Sequence, residues 1–263
     1  MVATLLHEIP LQGGDVTDGV VRVGDTVRRP AGTSTPAVHA LLRHLEAAGF
    51  DGAPRVLGFD RFGREILTFL PGRTGLRVES ASDEALAGLA RLLRRFHDAT
   101  AGFPLTMDGW EGGSNDDKAP EIIGHCDLTP ENVIFHQDDP STPYALIDFD
   151  LARPTTRLFD IVTTLRHWAP IADPVDRAPL LRAVDVGARL RLFCDAYGLR
   201  PRDRRRLLEL ARLRFHRSYT VMRTRAAAGG NWAKMWASGA GERIRRATAW
   251  LDVHEDELHA RLV

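Results

Sequence analysis

The chain has 263 residues, which is enough for one large domain or two small ones with a sizeable core. Lysine plus arginine and aspartate plus glutamate each number 35, so the formal net charge is zero, and this balance argues against a globally basic nucleic-acid-binding protein. No apolar run reaches the roughly 20 residues of a membrane span, and the chain opens without a secretory signal pattern. Because its two cysteines also form no disulfide framework, we expect a cytoplasmic protein with no membrane partner.

The first seventy residues have the pattern of short strands with one helix. Gly24 and Asp25 separate two β-branched runs, at 15–23 and 26–29, and this arrangement predicts a β-hairpin. Apolar residues at helical spacing within 37–50 predict a helix that stops at Gly49. Two further apolar runs, 54–60 and 65–70, predict strands, the second of which ends at Pro71 and Gly72.

From Ser82 onward the pattern is mostly helical. Ser82 is a suitable N-cap for a helix that ends near His97, and apolar runs within 122–135 and 144–149 predict two short strands. Further helices are expected over 160–168, about 180–197, 201–227 and 240–260. The layout predicts an α+β protein with a small β-rich lobe over 1–70, a hinge near 66–72 and a mostly helical lobe over 73–263.

Three oxygen-bearing side chains point to a chemistry. Asp127 and Asn132 lie five residues apart with Pro130 between them, and Asp148 follows at the end of an apolar strand run. A carboxylate that orients an attacking hydroxyl, together with an amide and a second carboxylate that bind Mg²⁺, suits phosphoryl transfer from a nucleotide. The spacing therefore favours a nucleotide-dependent phosphotransferase.

The same segments carry a family resemblance. Residues 125–133, HCDLTPENV, resemble the H-G-D-x-x-x-x-N-v motif of the aminoglycoside phosphotransferase family, and residues 147–150, IDFD, resemble its metal motif. Upstream, residues 11–23, 65–72 and 89–100 are similar to its glycine-bearing nucleotide loop, hinge strand and helix ending in L-H. The resemblance implies a bilobal protein-kinase-like fold, with a nucleotide-binding N-terminal lobe and a C-terminal lobe that holds the catalytic loop (125–132), the metal motif (147–150) and the acceptor site.

The resemblance also implies roles for individual residues. Asp127 would be the catalytic base or hydroxyl-orienting acid, and Asn132 and Asp148 would bind the metal. The cofactor would be ATP or GTP with Mg²⁺. The nucleotide would be bound through its phosphates and its base by the remaining candidates, which are Gly13, Gly14, Thr17, Arg29, Thr68 and Leu70.

The chain departs from the family pattern at two places. The kinase pattern has a lysine on the third strand, paired to a glutamate on the next helix, but here Arg29 takes the lysine position. The glutamate position falls on Val38 or His39, so no acidic partner for Arg29 is evident from the sequence. In addition, Cys126 replaces the usual glycine of the catalytic loop, where a small loop residue is a better interpretation than a covalent nucleophile.

Neighbouring polar residues have structural interpretations. His125 is expected to be a packed, hydrogen-bonded anchor of the loop. Asp160 is expected to be an N-cap that also ties down the catalytic loop. For Asp150, a role beside the metal and a solvated position at the end of a strand are both open.

The acceptor site is left open by the sequence. Residues 200–225 hold ten arginines against two acids, and this segment is either a solvated helix face or, if it lines the acceptor cleft, a surface that prefers a neutral or anionic acceptor. An acidic patch over 252–257 would instead hold an amino-sugar. Either a mobile lid or a packing corner would be formed by Trp232, Met235 and Trp236.

Taken together, these features predict an enzyme that transfers the γ-phosphate of ATP or GTP to a hydroxyl of a small molecule, an aminoglycoside or another antibiotic being what the family name suggests. The alternative is a nucleotide-binding pseudokinase, motivated by the missing lysine and glutamate. A small-molecule acceptor is the expected partner, with no nucleic acid and no membrane, and the protein is expected to be a monomer or homodimer.

Overall fold

A five-stranded antiparallel sheet forms the N-terminal part of the protein. The structure is a computed structural model that describes residues 7–11, 19–75, 81–106 and 108–263. The strands are arranged in the order β1-β2-β3-β5-β4. Their bounds are β1 (Ile9–Pro10), β2 (Val21–Val23), β3 (Thr26–Arg29), β4 (Val56–Phe59) and β5 (Glu65–Thr68).

The predicted hairpin joins β2 to β3. Gly24 adopts a φ of +59°, a left-handed conformation that glycine tolerates well, and β2 pairs antiparallel with β3. Residues 15–18, where the first run was expected to begin, lie outside the described residues. On its other side, β3 pairs with β5 so that Arg29 lies opposite Glu65, and this register decides the surroundings of Arg29.

Helix α1 (Thr35–Ala47) packs against β4 and against the first helix of the C-terminal part. The helix begins two residues earlier than expected because Pro36, with its fixed φ, fits the first turn of a helix. The apolar face predicted for it is buried and consists of Val38, Leu41, Leu42 and Leu45.

The C-terminal part is mostly helical. Helix α2 begins after Ser82, whose side chain accepts a hydrogen bond from the Ala85 amide at 3.1 Å, as the N-cap prediction required. Helices α2 and α4 pack on each other, and α6 packs on α3, α7 and α8. The helices are α2 (Asp83–Thr100), α3 (Arg157–Trp168), α4 (Val186–Tyr197), α5 (Pro201–Arg204), α6 (Leu207–Ala227), α7 (Gly230–Ala237) and α8 (Ala240–Leu262).

Several helix boundaries differ from the sequence prediction. The helix expected at 160 begins at Arg157, because Thr156 is its N-cap and accepts a hydrogen bond from the Phe159 amide at 3.2 Å. The N-cap role expected for Asp160 is therefore wrong. The segment expected to be helical from about 180 has a short 3₁₀ turn first, and α4 begins only after Asp185, whose side chain caps it.

Two small antiparallel ladders connect the sheet to the helices. One pairs β7 with β10, and the other has the order β6-β8-β9. The strands are β6 (Arg73–Thr74), β7 (Ile122–Gly124), β8 (Val133–Phe135), β9 (Pro143–Leu146) and β10 (Arg153–Thr155). Residues 125–132 therefore connect β7 to β8, and residues 147–152 connect β9 to β10. Each of the two motif segments thus runs between the same two ladders.

A continuous apolar core extends from α1 through the ladders to α8. It explains how a chain with few long strands holds its parts together, since burial of apolar surface is the main favourable contribution to folding. In the described ranges, no helix has both the length and the apolar composition that a bilayer crossing requires. The lobe boundary near 66–72 stays a prediction, although β5 ends at Thr68 and β6 begins at Arg73.

Candidate active site

Asp127, Asn132 and Asp148 line one cavity of about 310 Å³. The Asn132 side-chain amide donates to the Asp127 carbonyl oxygen at 2.8 Å and to the Asp127 carboxylate at 3.2 Å. These bonds use the amide nitrogen and leave the Asn132 side-chain oxygen to face other groups. The two motif segments identified in the sequence thus meet at one place.

Local backbone geometry produces this convergence. Pro130 starts a 3₁₀ turn over Pro130–Asn132, in which the Asn132 amide donates to the Thr129 carbonyl at 3.0 Å. The Ile147 amide then donates to the Asn132 carbonyl at 3.0 Å, so the second segment is tied directly to the first. Asp148 itself has a φ of +63°, a left-handed conformation that is uncommon outside glycine, asparagine and aspartate.

Asp160 anchors the catalytic loop from beneath. Its fully buried carboxylate accepts hydrogen bonds from the amides of His125 at 2.9 Å and Cys126 at 2.8 Å, and from the His97 ring at 2.9 Å. Burial alone would raise the pKa of Asp160, but these donors hold it below its usual value. The expected tie to the loop is confirmed, although the residue is not a helix cap.

His125 has the anchor position expected for it. Its ring is buried, bonds through Nε2 to the Ile147 carbonyl at 3.0 Å and lies 4.7 Å from the Phe149 ring centroid. Burial lowers the pKa of His125, so the ring is neutral near pH 7. It therefore links the catalytic loop to the metal motif without a charge.

Cys126 is a strained loop residue. It has a φ of +63°, where glycine would be unstrained, and it is buried. Burial raises the pKa of the thiol to about 12, so the nucleophilic thiolate is not populated at neutral pH. This agrees with the interpretation of Cys126 as a small loop residue.

Asp127 has a shifted acidity. Burial and, second, the charge of Asp148 raise its pKa to about 7, although Arg214 and Arg153 act in the opposite direction. A carboxyl group that changes charge near neutral pH can accept a proton from a hydroxyl and release it again.

Arg29 has an acidic partner that the sequence did not reveal. Its Nε lies 3.0 Å from Oε1 of Glu65, the residue opposite it on β5, as an ion pair without hydrogen-bond alignment. The other Glu65 oxygen lies 2.7 Å from Nε2 of His39, which is on α1. The expectation that no acidic partner exists is therefore wrong: the acid lies on the neighbouring strand, and α1 contributes a histidine in place of the expected glutamate.

The guanidinium of Arg29 also reaches the metal motif. Its Nη1 lies 3.2 Å from Asp148, and its Nη2 bonds to Asp150. Burial alone would lower the pKa of Arg29, but Asp150, Asp148 and Glu65 raise it. Asp150 is thus ion-paired with Arg29, although its side chain is 38% exposed, and a role beside the metal stays a prediction.

The donor set can be tested against Mg²⁺. The described residues contain no group of three or more His, Cys, Asp and Glu side chains that could hold a metal ion. Mg²⁺, however, is usually bound by one or two protein oxygens together with substrate phosphates and water. The Asp148 carboxylate and the Asn132 side-chain oxygen, which line one cavity, fit that requirement.

The remaining nucleotide candidates are less defined. Gly13, Gly14 and Thr17 lie outside the described residues. Thr68 is held within the sheet, since its amide donates to the Arg55 carbonyl at 3.0 Å. Leu70 follows the end of β5, and neither Thr68 nor Leu70 lines the cavity that contains Asp127.

Five arginines line the same cavity, and most of them could not be predicted from the sequence. They come from β10, α3, α6 and α8, so only the α6 members belong to the basic segment noticed in the sequence. The acidic patch lies elsewhere, because Asp252 and Glu255 pair with Arg212 and do not line this cavity. The five arginines are Arg153, Arg166, Arg214, Arg225 and Arg243.

The aromatic segment after Gly230 contributes both packing and lining. Trp232 and Met235 line the cavity. Trp236 instead packs edge-on against Tyr219, with ring centroids 5.3 Å apart. The packing interpretation is thus supported for Trp236, and the mobile lid stays a prediction.

The kinase-like fold and a match to a family model together support a small-molecule phosphotransferase. The family model of the phosphotransferase enzyme family matches residues 11–117 and 114–193. A trifolitoxin immunity protein from Rhizobium leguminosarum bv. trifolii is 32% identical over 269 residues, which cover 97% of this chain and 98% of that protein. The chain belongs to the phosphotransferase enzyme family.

Solved structures support the fold. A choline/ethanolamine kinase family protein from Mesorhizobium loti is similar with a TM-score of 0.62 at 17% identity, over 94% of this chain and 90% of that one. The wild-type aminoglycoside 2'-phosphotransferase-IIIa in its GDP complex is similar with a TM-score of 0.59 at 16% identity, over 92% of each chain. The predicted α+β, protein-kinase-like fold is confirmed.

Proposed function

We propose that the protein transfers the γ-phosphoryl group of ATP or GTP to a hydroxyl of a small molecule. The observation that carries the proposal is the convergence of Asp127, Asn132 and Asp148 on one cavity from two segments of the chain. In phosphoryl transfer the protein forms few covalent bonds itself and contributes mainly by positioning the reactants and stabilising charge. These groups can supply both contributions.

In this proposal Asp127 orients the acceptor hydroxyl and takes its proton. The hydroxyl oxygen forms a bond to the γ-phosphorus while the bond to the β–γ bridging oxygen breaks, and the nucleoside diphosphate leaves. The near-neutral pKa of Asp127 suits a group that must hold and release a proton in each cycle. The hydrogen bond from Asn132 fixes the carboxylate for this step.

The nucleotide would be held from both sides of the site. Asp148 and Asn132 would hold Mg²⁺, which when bound neutralises charge on the phosphate groups. Arg29 would contact the phosphates, since its guanidinium lies against Asp148 and Asp150. The loop with Gly13, Gly14 and Thr17 would cover the phosphates, and the main chain near Thr68 and Leu70 would receive the base.

An antibiotic is the acceptor class that one comparison favours. The relative described as a trifolitoxin immunity protein is similar over nearly the whole of both chains. We therefore place antibiotics, together with hydroxylated metabolites, in the group of compounds to be tested.

A pseudokinase is the second candidate, and the Arg29 contacts favour it. Arg29 occupies the position of the usual lysine and binds Asp148 and Asp150, the acids nearest to the expected metal. A guanidinium that stays on these acids would oppose metal binding, and transfer would be slow or absent.

A nucleotide-consumption screen separates the two candidates. ATP or GTP with Mg²⁺ is incubated with amino-sugars, macrolides, peptide antibiotics and simple hydroxylated metabolites, and products are read by mass spectrometry as a gain of one phosphate. The wild type is expected to phosphorylate at least one compound, and Asp127→Asn is expected not to. Asp173→Asn, an acid distant in sequence and outside the cavity, is the matched control. Nucleotide binding without any phosphorylated product would favour the pseudokinase.

A further inference from the structure

We propose that the acceptor carries an anionic oxygen group, a carboxylate or a phosphate, bound by Arg153, Arg166, Arg214 and Arg243 while its hydroxyl faces Asp127. The proposal rests on the proposed function and adds to it the charge of the substrate. It makes a polycationic aminoglycoside a poor acceptor for this site.

The first observation is an excess of positive charge in the cavity. Five arginines line it against three carboxylates, those of Asp127, Glu131 and Asp148. Burial and nearby arginines lower the pKa of His167, so this lining residue adds no charge near pH 7. In a partly closed cavity, such an excess attracts anions and repels cations.

The second observation is that four of the five arginines have no carboxylate partner among the residues that the structure describes. Arg225 is the exception, with Nη2 at 2.8 Å from Glu111. Elsewhere arginines are commonly paired, as Arg212 is with Asp252 and Glu255. Of these four arginines, Arg153 and Arg214 are buried, whereas Arg166 and Arg243 are partly exposed. Buried cations are costly unless an anion accompanies them, so the two buried members point to an anion that binds there.

The third observation is that buried guanidinium nitrogens are left without hydrogen-bond partners. Arg214 is 8% exposed, and its Nη1 has no partner, while its Nε donates to Thr163 at 2.9 Å. Arg153 is 6% exposed, and its Nε has no partner, while its Nη1 and Nη2 donate to the carbonyls of Leu151 and Ser114. These bonds hold both guanidinium groups in place on the cavity wall.

The arginines also repel one another, as groups that share an anion do in its absence. Burial and then Arg166 and Arg153 lower the pKa of Arg214 to about 9. Burial and then Arg243 lower the pKa of Arg166. A carboxylate or phosphate among them would relieve this repulsion, and guanidinium groups bind both anions with paired hydrogen bonds.

The first test measures anion binding without any transfer reaction. Inorganic phosphate is titrated by calorimetry into nucleotide-free, metal-free protein and into Arg166→Gln, Arg214→Gln and the control Arg212→Gln. The expected result is Kd raised by about 10- to 100-fold in the two cavity variants and unchanged in the control. Thermal unfolding shows whether Arg214→Gln folds. If it does not, Arg214→Lys, which keeps the positive charge but lacks the paired guanidinium donors, is used in its place.

The second test measures acceptor choice with matched compounds. Glycerol, glycerate, glycerol phosphate and kanamycin are compared as acceptors by nucleotide consumption, since the first three differ only in the group beside the hydroxyls. Glycerate and glycerol phosphate separate a carboxylate from a phosphate site. The anionic compounds are expected to react better than glycerol and kanamycin, with KM raised about 10- to 100-fold by Arg166→Gln and nucleotide KM unchanged.

The inference is overturned if glycerol or kanamycin reacts as well as the anionic compounds, or if Arg166→Gln raises KM for the nucleotide and not for the acceptor. If none of these four compounds reacts, the wider nucleotide-consumption screen decides the proposed function, and phosphate binding still decides this inference. Binding that needs Arg166 and Arg214 supports it, and absent or arginine-independent binding overturns it.

Discussion

Replacing Glu65 by glutamine removes the charge that faces both Arg29 and His39. The Arg29 and Glu65 side chains are 11% and 5% exposed, so their interaction is only weakly screened by water. Breaking a buried ion pair usually costs about 3–5 kcal/mol because a charge is left alone. Here Asp148 and Asp150 remain beside Arg29, so we expect Glu65→Gln to cost about 2 kcal/mol.

The pairing itself is measured by a double-mutant cycle. Arg29→Met leaves three carboxylates without their cation and is expected to cost about 3–4 kcal/mol. The double variant should be destabilised by about 1–2 kcal/mol less than the sum of the two single-variant destabilisations. The reason is that the Glu65 substitution removes a carboxylate that the Arg29 substitution left unpaired. Urea unfolding in metal-free buffer at pH 7.5 gives the free energies.

Arg94 and Asp98 are the matched control pair. They are about half exposed on α2 and lie 2.8 Å apart, so their coupling is expected to be about 0.3–0.5 kcal/mol. If the effects of the Arg29 and Glu65 substitutions on the free energy of unfolding add to within about 0.5 kcal/mol, the two side chains are not coupled. The proposed replacement of the lysine–glutamate pair by arginine, glutamate and histidine is then wrong.

Substitutions at three further positions test the catalytic loop. Asp160→Asn removes a buried charge that accepts from the amides of His125 and Cys126, and urea unfolding should show a loss of about 3 kcal/mol, whereas an unchanged midpoint would contradict the anchor role. The pKa of Asp127 is raised to about 7 from an unfolded value of about 3.9, so its ionisation opposes folding increasingly from pH 4 to 7. Asp127→Asn should then gain about 2 kcal/mol over wild type above pH 7 after allowance for partial exposure, and almost nothing at pH 4; a gain in melting temperature that is constant with pH would refute the shift. Cys126→Gly relieves a left-handed backbone worth about 1–2 kcal/mol but loses a buried side chain worth about 1 kcal/mol, so its unfolding free energy should stay within about 1 kcal/mol of wild type. Cys126→Val, which is β-branched, should cost more than about 2 kcal/mol, and equal stability of the two variants would rule out backbone strain.

The sequence was sufficient to predict those site residues whose chemical role and local structure are both determined by one short segment. Asp127, Asn132 and Asp148 lie in short segments whose spacing reflects one turn and one strand end, and the structure brings them to one cavity. Ser82 as N-cap and the Gly24 hairpin followed from local rules for the same reason. Local patterns of this kind need no knowledge of distant contacts.

The partners of Arg29 and the arginine cluster could not be predicted in this way. Glu65 is 36 residues from Arg29 in sequence and lies opposite it because of the register in which β3 pairs with β5. Predicting that two segments are strands does not predict their register. Arg153, Arg166 and Arg243 come from three elements whose packing brings them together. Most arginines of the basic segment 200–225 form ion pairs with acidic side chains. Of this segment, only the arginines Arg214, which is buried, and Arg225, which pairs with Glu111, line the cavity.

The most direct test of the account is to measure the acceptor-dependent transfer rate and the nucleotide Kd of Asp127→Asn side by side, using an acceptor identified in the screen. Because the variant keeps Asn132, Asp148 and Arg29 but loses the proton acceptor, its transfer rate should fall about 10²- to 10⁴-fold while its nucleotide Kd changes less than about threefold. A transfer rate within tenfold of the wild-type value would contradict the assignment of Asp127 as the group that orients and deprotonates the hydroxyl.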